Sequence, residues 1–100
     1  MSKPNWKPLE KTLPPRKCHD FMFMGDYDYL IVDVHGRKLG QKHTYDYKHH
    51  FTRQYLHIED DGTLYCNAGS VDGKIALKPC TKNEALDIAY EDVELFGGKR

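Results

Sequence analysis

"RQYLHIEDDGTLYCN", residues 53–67, contains two runs of alternating character around one turn signal. Leu56 and Ile58 alternate with Tyr55, His57 and Glu59, and beyond Asp60-Asp61-Gly62 the residues Leu64 and Cys66 alternate with Thr63 and Tyr65. Side chains on a strand point to opposite faces with period two, so each run reads as a half-buried strand and the pair as a hairpin. Two registers compete. A two-residue loop at Asp61-Gly62 sets Ile58 against Tyr65 and Leu56 against Asn67, whereas a three-residue loop at 60–62 sets Ile58 against Leu64 and Leu56 against Cys66. A slip of one residue turns every side chain to the wrong face. The register that keeps apolar residues together is therefore predicted, with Gly62 left-handed in a bulged turn and His57 opposite Tyr65 on the other face.

Upstream, every odd position from 43 to 57 holds a His, an aromatic or an Arg: His43, Tyr45, Tyr47, His49, Phe51, Arg53, Tyr55 and His57. One strand of that length would run about 50 Å at roughly 3.3 Å per residue, more than a small domain accommodates. A break is expected within "KHHFT", 48–52. The row is readable as a half-buried sheet face, since Tyr and His carry an apolar body and a wet tip. It is also readable as a partner surface, because Tyr, Phe and Arg concentrate at interface centres. Stacking on nucleobases, aided by Lys42, Lys48 and Arg53, is opposed by the adjacent "EDD" and by zero net charge. The partner surface is assigned to Tyr45, Tyr47, Phe51, Arg53 and Tyr55.

The rest of the chain supplies the companions of this hairpin. "CHDFMFM", 18–24, and "YDYLIVDV", 27–34, read as strands joined at Gly25-Asp26, with a turn at His35-Gly36 and a polar loop or bulged edge over 37–42. "NAGSVDG", 67–73, reads as a turn-rich connection, and "KIALKP", 74–79, as a strand stopped by Pro79. Thr81 and Glu84 then form a capping box that opens a helix, Ala85, Leu86, Ala89, Val93 and Phe96 recur at helical spacing, and Gly97-Gly98 is the expected stop. Glu84, Asp87, Glu91 and Glu94 line one side of that helix, a surface suited to a basic protein. Residues 1–17 hold four prolines and a net charge of +4, which suggests an extended arm. The expected fold is α+β: a small antiparallel sheet of four to five strands packed by one C-terminal helix, forming a single domain over 18–100 behind the extended arm.

Composition narrows the function classes. The 15 basic and 15 acidic residues cancel, so no global field recruits nucleic acid or an anionic membrane. The halves differ, with +3 over residues 1–50 and −3 over 51–100, so self-association into a homodimer through arm and acidic stripe is a further expectation. No apolar run approaches 18 residues and no apolar segment follows the basic N-terminus, which points to a cytoplasmic chain without membrane partner. Cys18, Cys66 and Cys80 are an odd, widely spaced set and read as free thiols.

Zinc takes four Cys or His ligands, usually in close pairs. The least unsuitable set here, Cys18, Cys66 and Cys80 with His49 or His57, lacks such pairing, and no cofactor is expected. No Cys–His or His–His arrangement is marked by a local motif. The reading adopted is a small non-enzymatic module that binds another protein through the aromatic face and the acidic stripe. Its profile, short and free of motifs, is that of phage or mobile-element inhibitors of host complexes. A small metal-dependent or His-based nuclease is the alternative from another class, and a nucleic-acid binding domain the third.

Overall fold

The computed structural model describes residues 4–99, with side chains over 4–90. Two short helices, α1 (Lys7–Thr12) and α2 (Pro15–Cys18), precede five strands: β1 (Phe21–Val32), β2 (Lys38–His49), β3 (Tyr55–Glu59), β4 (Leu64–Val71) and β5 (Lys74–Pro79). The helix α3 (Lys82–Lys99) follows them. Each strand pairs antiparallel with the next. Four successive reversals leave β1 and β5 running in the same direction. The last gap therefore closes through a parallel contact, Leu30 opposite Ala76 and Ile31 opposite Leu77, and the sheet becomes a closed barrel. The α+β class, an antiparallel sheet packed by a C-terminal helix, is as the sequence implies; closure is an addition to it.

The hairpin of residues 53–67 adopts the expected register, with Ile58 opposite Leu64 and His57 opposite Tyr65. Its turn is held by Glu59 N donating to Thr63 O and Gly62 N donating to Glu59 O, both at 2.8 Å. Gly62 has φ +96°, the left-handed region in which a side chain would clash with its own backbone. The long odd-numbered row breaks where expected, β2 ending at His49 and a turn occupying 50–52.

Three connections differ from the expectation. Residues 18–24 and 27–34 do not form a hairpin: β1 runs straight through Gly25, whose φ of +116° makes a bulge, and the pairing shifts there between Phe23 and Gly25. A glycine inside a strand pattern bends the strand without reversing it when a partner of matching length exists. Residues 38–49 are that partner, so of the two expectations for 37–42 the loop fails and the bulged strand holds: they are mostly the first half of β2, with a register shift opposite Ile31 and Val32. The reversal lies at 33–37, where the Asp33 carboxylate accepts bonds from His35 N, Arg37 N and Arg37 Nε at 2.8–2.9 Å. Residues 67–71 likewise extend β4 through a bulge, and the turn is Asp72-Gly73, both at positive φ as a two-residue hairpin requires.

The N-terminal segment is not extended. Pro8 and Pro15 sit in the first turns of α1 and α2, where a missing amide hydrogen costs no intrahelical bond. Leu9 and Leu13 are buried in the main core with Phe21, Tyr47, Leu56, Ile58, Leu64, Ala85 and Ala89. Trp6 packs 5.6 Å from the Tyr47 ring, and the Tyr47 hydroxyl donates to Asn5 O at 2.6 Å. Burial of Leu9 and Leu13 is worth roughly 1.5–3 kcal/mol each, which outweighs the loose conformational preference of a proline-rich segment.

At the other end, Thr81 N donates to Glu84 Oε1 at 2.9 Å and Glu84 N to Thr81 Oγ1 at 3.1 Å, the reciprocal bonds of a capping box. Ala85 and Ala89 face the barrel, and Thr52 fixes the helix by donating its hydroxyl hydrogen to Ala89 O. Gly97-Gly98 do not stop α3, which runs to Lys99. Glycine permits a helix end without imposing one, its cost in a helix being only about 0.5–1 kcal/mol.

Candidate functional site

Alternation sends the two sets of side chains on β3 to different environments. Leu56 and Ile58 enter the main core, while Tyr55 and His57 point to a face shared by Tyr29 of β1, Asp46 of β2, Tyr65 of β4 and Ile75 of β5. Between this face and α3 lies a cleft of about 440 Å³, which Ala85 and Ile88 complete from the helix side. That volume falls within the usual range of ligand sites, roughly 300–1,000 Å³. Its rim is apolar and open: Tyr27, Tyr55, Ile75 and Ile88 are 50, 38, 54 and 38 % exposed.

A buried polar cluster forms the floor. Asp46 is 1 % exposed, and its carboxylate accepts the hydroxyl of Tyr29, the hydroxyl of Thr44 at 2.9 Å and His57 Nδ1 at 2.9 Å. A carboxylate withdrawn from water costs several kcal/mol unless hydrogen bonds replace its lost hydration, and three donors do so here. Burial, reinforced by the bond to Asp46, pushes the Tyr29 hydroxyl pKa up, so it remains a donor. Tyr65 behaves alike: burial raises it, and its hydroxyl donates to Glu59 Oε1 at 2.6 Å. No side-chain nitrogen or oxygen that is buried among the described residues lacks a partner.

His57 is a polar group of the lining with capacity to spare. Its side chain is 8 % exposed, stacked beside Tyr55 at 5.8 Å and edge-on to Tyr29 at 5.2 Å. With Nδ1–H given to Asp46, a neutral ring presents Nε2 as an acceptor. Among the described residues nothing bonds Nε2, and the ring lines the cleft. Among the described residues the lining contains neither Lys nor Arg.

The residues singled out from sequence divide between three places. Tyr47 is fully buried and Tyr45 packs against the same core, so neither belongs to an open partner surface. The Tyr47 ring is contacted by Trp6 and Phe23, which the N-terminal segment and β1 bring to it, and the Tyr45 ring meets His43 edge-on at 5.5 Å. Phe51, in the 50–52 turn, and Arg53, just after it at φ 66°, lie exposed and away from the cleft lining. Tyr55 alone of the assigned row borders the cleft, with Lys48 lying 5.7 Å from its ring.

Glu84 and Asp87 are exposed on α3, though Glu84 is engaged in the helix cap, which holds its carboxyl below the ordinary range. The side chains of Glu91 and Glu94 lie outside the described residues, as do those of Val93 and Phe96.

The thiols are free. Among the described residues no three His, Cys, Asp or Glu side chains gather as a metal site, so Cys18, Cys66, Cys80, His49 and His57 do not converge. His49 Nδ1 instead accepts Phe51 N and Thr52 N at 3.1 and 3.2 Å, and burial lowers its pKa. Burial raises Cys80, which also bonds with Cys66, while Cys18 donates to Leu13 O.

A second histidine site was missed because its acids lie on another strand. His43 on β2 is gripped through Nε2 by Asp26 and through Nδ1 by Asp28 of β1, each at 2.7 Å. Both ring nitrogens donate only in the imidazolium, and the bonds to Asp28 and Asp26 raise its pKa accordingly. Asp46 was likewise overlooked. It stands in the even-numbered set between two tyrosines, and only the pairing of Asp46 with His57 across β2 and β3 reveals the cluster.

No family model, curated protein or solved structure matches this chain.

Proposed function

We propose that this chain is a non-enzymatic binding module that receives an anchor side chain of another protein in the cleft between the barrel and α3. The observation that carries this reading is the convergence of four exposed large apolar residues, Tyr27, Tyr55, Ile75 and Ile88, around one cavity with a hydrogen-bonding floor. Single exposed apolar side chains are ordinary, whereas a contiguous set rimming a cleft is the form interaction sites take. Interface energy concentrates in a few anchors buried in such pockets. The acidic residues Glu84 and Asp87 flank Ala85 and Ile88 on α3, so a partner with basic residues beside its anchor is favoured.

The test compares two double variants in partner capture. Tyr55→Ser with Ile88→Ser opens the cleft rim, and Val34→Ser with Leu39→Ser removes two exposed apolar residues that do not line it. A partner retained by wild type and by the Val34/Leu39 variant, yet lost by the Tyr55/Ile88 variant, supports the reading. Retention by the Tyr55/Ile88 variant overturns it.

A further inference from the structure

Resting on that reading, we infer that the anchor is an uncharged aromatic side chain bearing one N–H donor, the indole of a partner's tryptophan, and that it donates to His57 Nε2. Three features of the cleft select this chemistry. The first is a side chain more than nine-tenths buried whose open nitrogen has no partner among the described residues. A buried ring held at Nδ1 by Asp46 has one direction left in which to bond, and that direction belongs to the cavity it lines.

The second feature is the sign of the remaining hydrogen-bonding capacity. The Tyr29 hydroxyl hydrogen goes to Asp46 and the Tyr65 hydroxyl hydrogen to Glu59, so both oxygens keep acceptor capacity alone. With Nδ1–H held by Asp46, His57 Nε2 joins the Tyr29 and Tyr65 oxygens as an acceptor, so this part of the floor is matched by an occupant that donates.

The third feature is charge. Among the described residues the cleft lining offers no Lys or Arg to hold an anion. The carboxylate beneath it, Asp46, is buried and already engaged by three donors, so it offers little to repay the desolvation of a guanidinium or ammonium. Lys48 beside Tyr55 further disfavours a second cation on that ring. A flat apolar body with a single donor satisfies all three conditions, its faces meeting Tyr27, Ile75 and Ile88 and its N–H meeting Nε2.

The test uses the folded full-length chain and follows amide chemical shifts during titration with three probes. Indole carries the donor, 1-methylindole has the same ring without it, and N-acetylargininamide carries a charged donor set. Indole is expected to shift the amides of Tyr29, Tyr55 and His57 and to bind roughly tenfold more tightly than 1-methylindole, the loss of one hydrogen bond. Tyr55→Leu, at an open rim position, is expected to weaken indole severalfold while the chain stays folded. Equal binding of indole and 1-methylindole overturns the donor assignment but leaves the cleft as an anchor site. Preferential binding of the arginine probe overturns the uncharged anchor and again spares the binding-module reading. Absence of cleft shifts with every probe overturns the inference, and partner capture by the rim variants then decides the broader reading separately.

Discussion

At the scale of single residues, the polar groups decide more than their number suggests. Asp46 is the acceptor on which Tyr29, Thr44 and His57 converge. Asp46→Ala should therefore cost about 3–5 kcal/mol in a denaturant titration, because it strands three donors that folding has taken from water. A loss under 1 kcal/mol would contradict this description of the cleft floor. His43 and His49 are predicted to act in opposite directions with pH. The folded pKa of His43 is raised, so its stabilising contribution is complete below the unfolded value of about 6.5 and is lost as pH climbs through the folded value. The folded pKa of His49 is lowered, so its contribution is present above about 6.5 and is lost as pH falls through the folded value. The stability gap between wild type and His43→Gln should thus shrink as pH rises from 6 to 9. A gap that widens over that range would refute the clamp by Asp26 and Asp28.

At the scale of elements, local turn chemistry was legible wherever the hydrophobic pattern on both sides agreed with it. Gly62 is the clearest case, since the apolar register selected the loop length and the loop length demanded φ > 0. Gly62→Val should cost about 1–2 kcal/mol, read as a fall in urea midpoint, because a β-branched residue tolerates that region poorly. Coincident midpoints would mean the turn does not need its glycine. Thr81→Ala, which removes half of the capping box, should cost about 0.5–2 kcal/mol. Gly25 shows why other turns were misread. The dipeptide Gly25-Asp26 has the composition of a turn, yet it lies inside a twelve-residue strand because β2 pairs on both sides of it. The Asp72-Gly73 dipeptide carried the true hairpin signal but was submerged in a glycine-rich run. Prolines in the first turns of α1 and α2 are compatible with helix or extended chain alike, and only the burial of Leu9 and Leu13 resolves the choice.

At the scale of the whole molecule, the odd-numbered row is divided between two functions by the curl of the barrel. Tyr45 and Tyr47 enter the core through β2, whereas Tyr55 and His57, also odd, face the cleft through β3. Parity in the sequence survives along one strand and is reset at the 50–54 turn, so no periodicity argument spanning 43–57 separates core from site. The consequence is measurable: Tyr47→Ala should cost about 3–5 kcal/mol of stability, as for a fully buried aromatic, while Tyr55→Ala should cost far less and impair binding instead. Equal stability losses for the two would remove the distinction. The class of fold and the β3–β4 hairpin follow from patterns within segments; the full length of β1 and β2, the barrel closure, the Asp46 cluster and the cleft arise from contacts between segments. The most direct measurement for the binding module is an amide chemical-shift map of the folded chain with a captured partner. The predicted result is that the largest shifts fall on Tyr27, Tyr55, His57, Ile75 and Ile88. Shifts concentrated on Phe51 and Arg53, with the cleft unchanged, would contradict it.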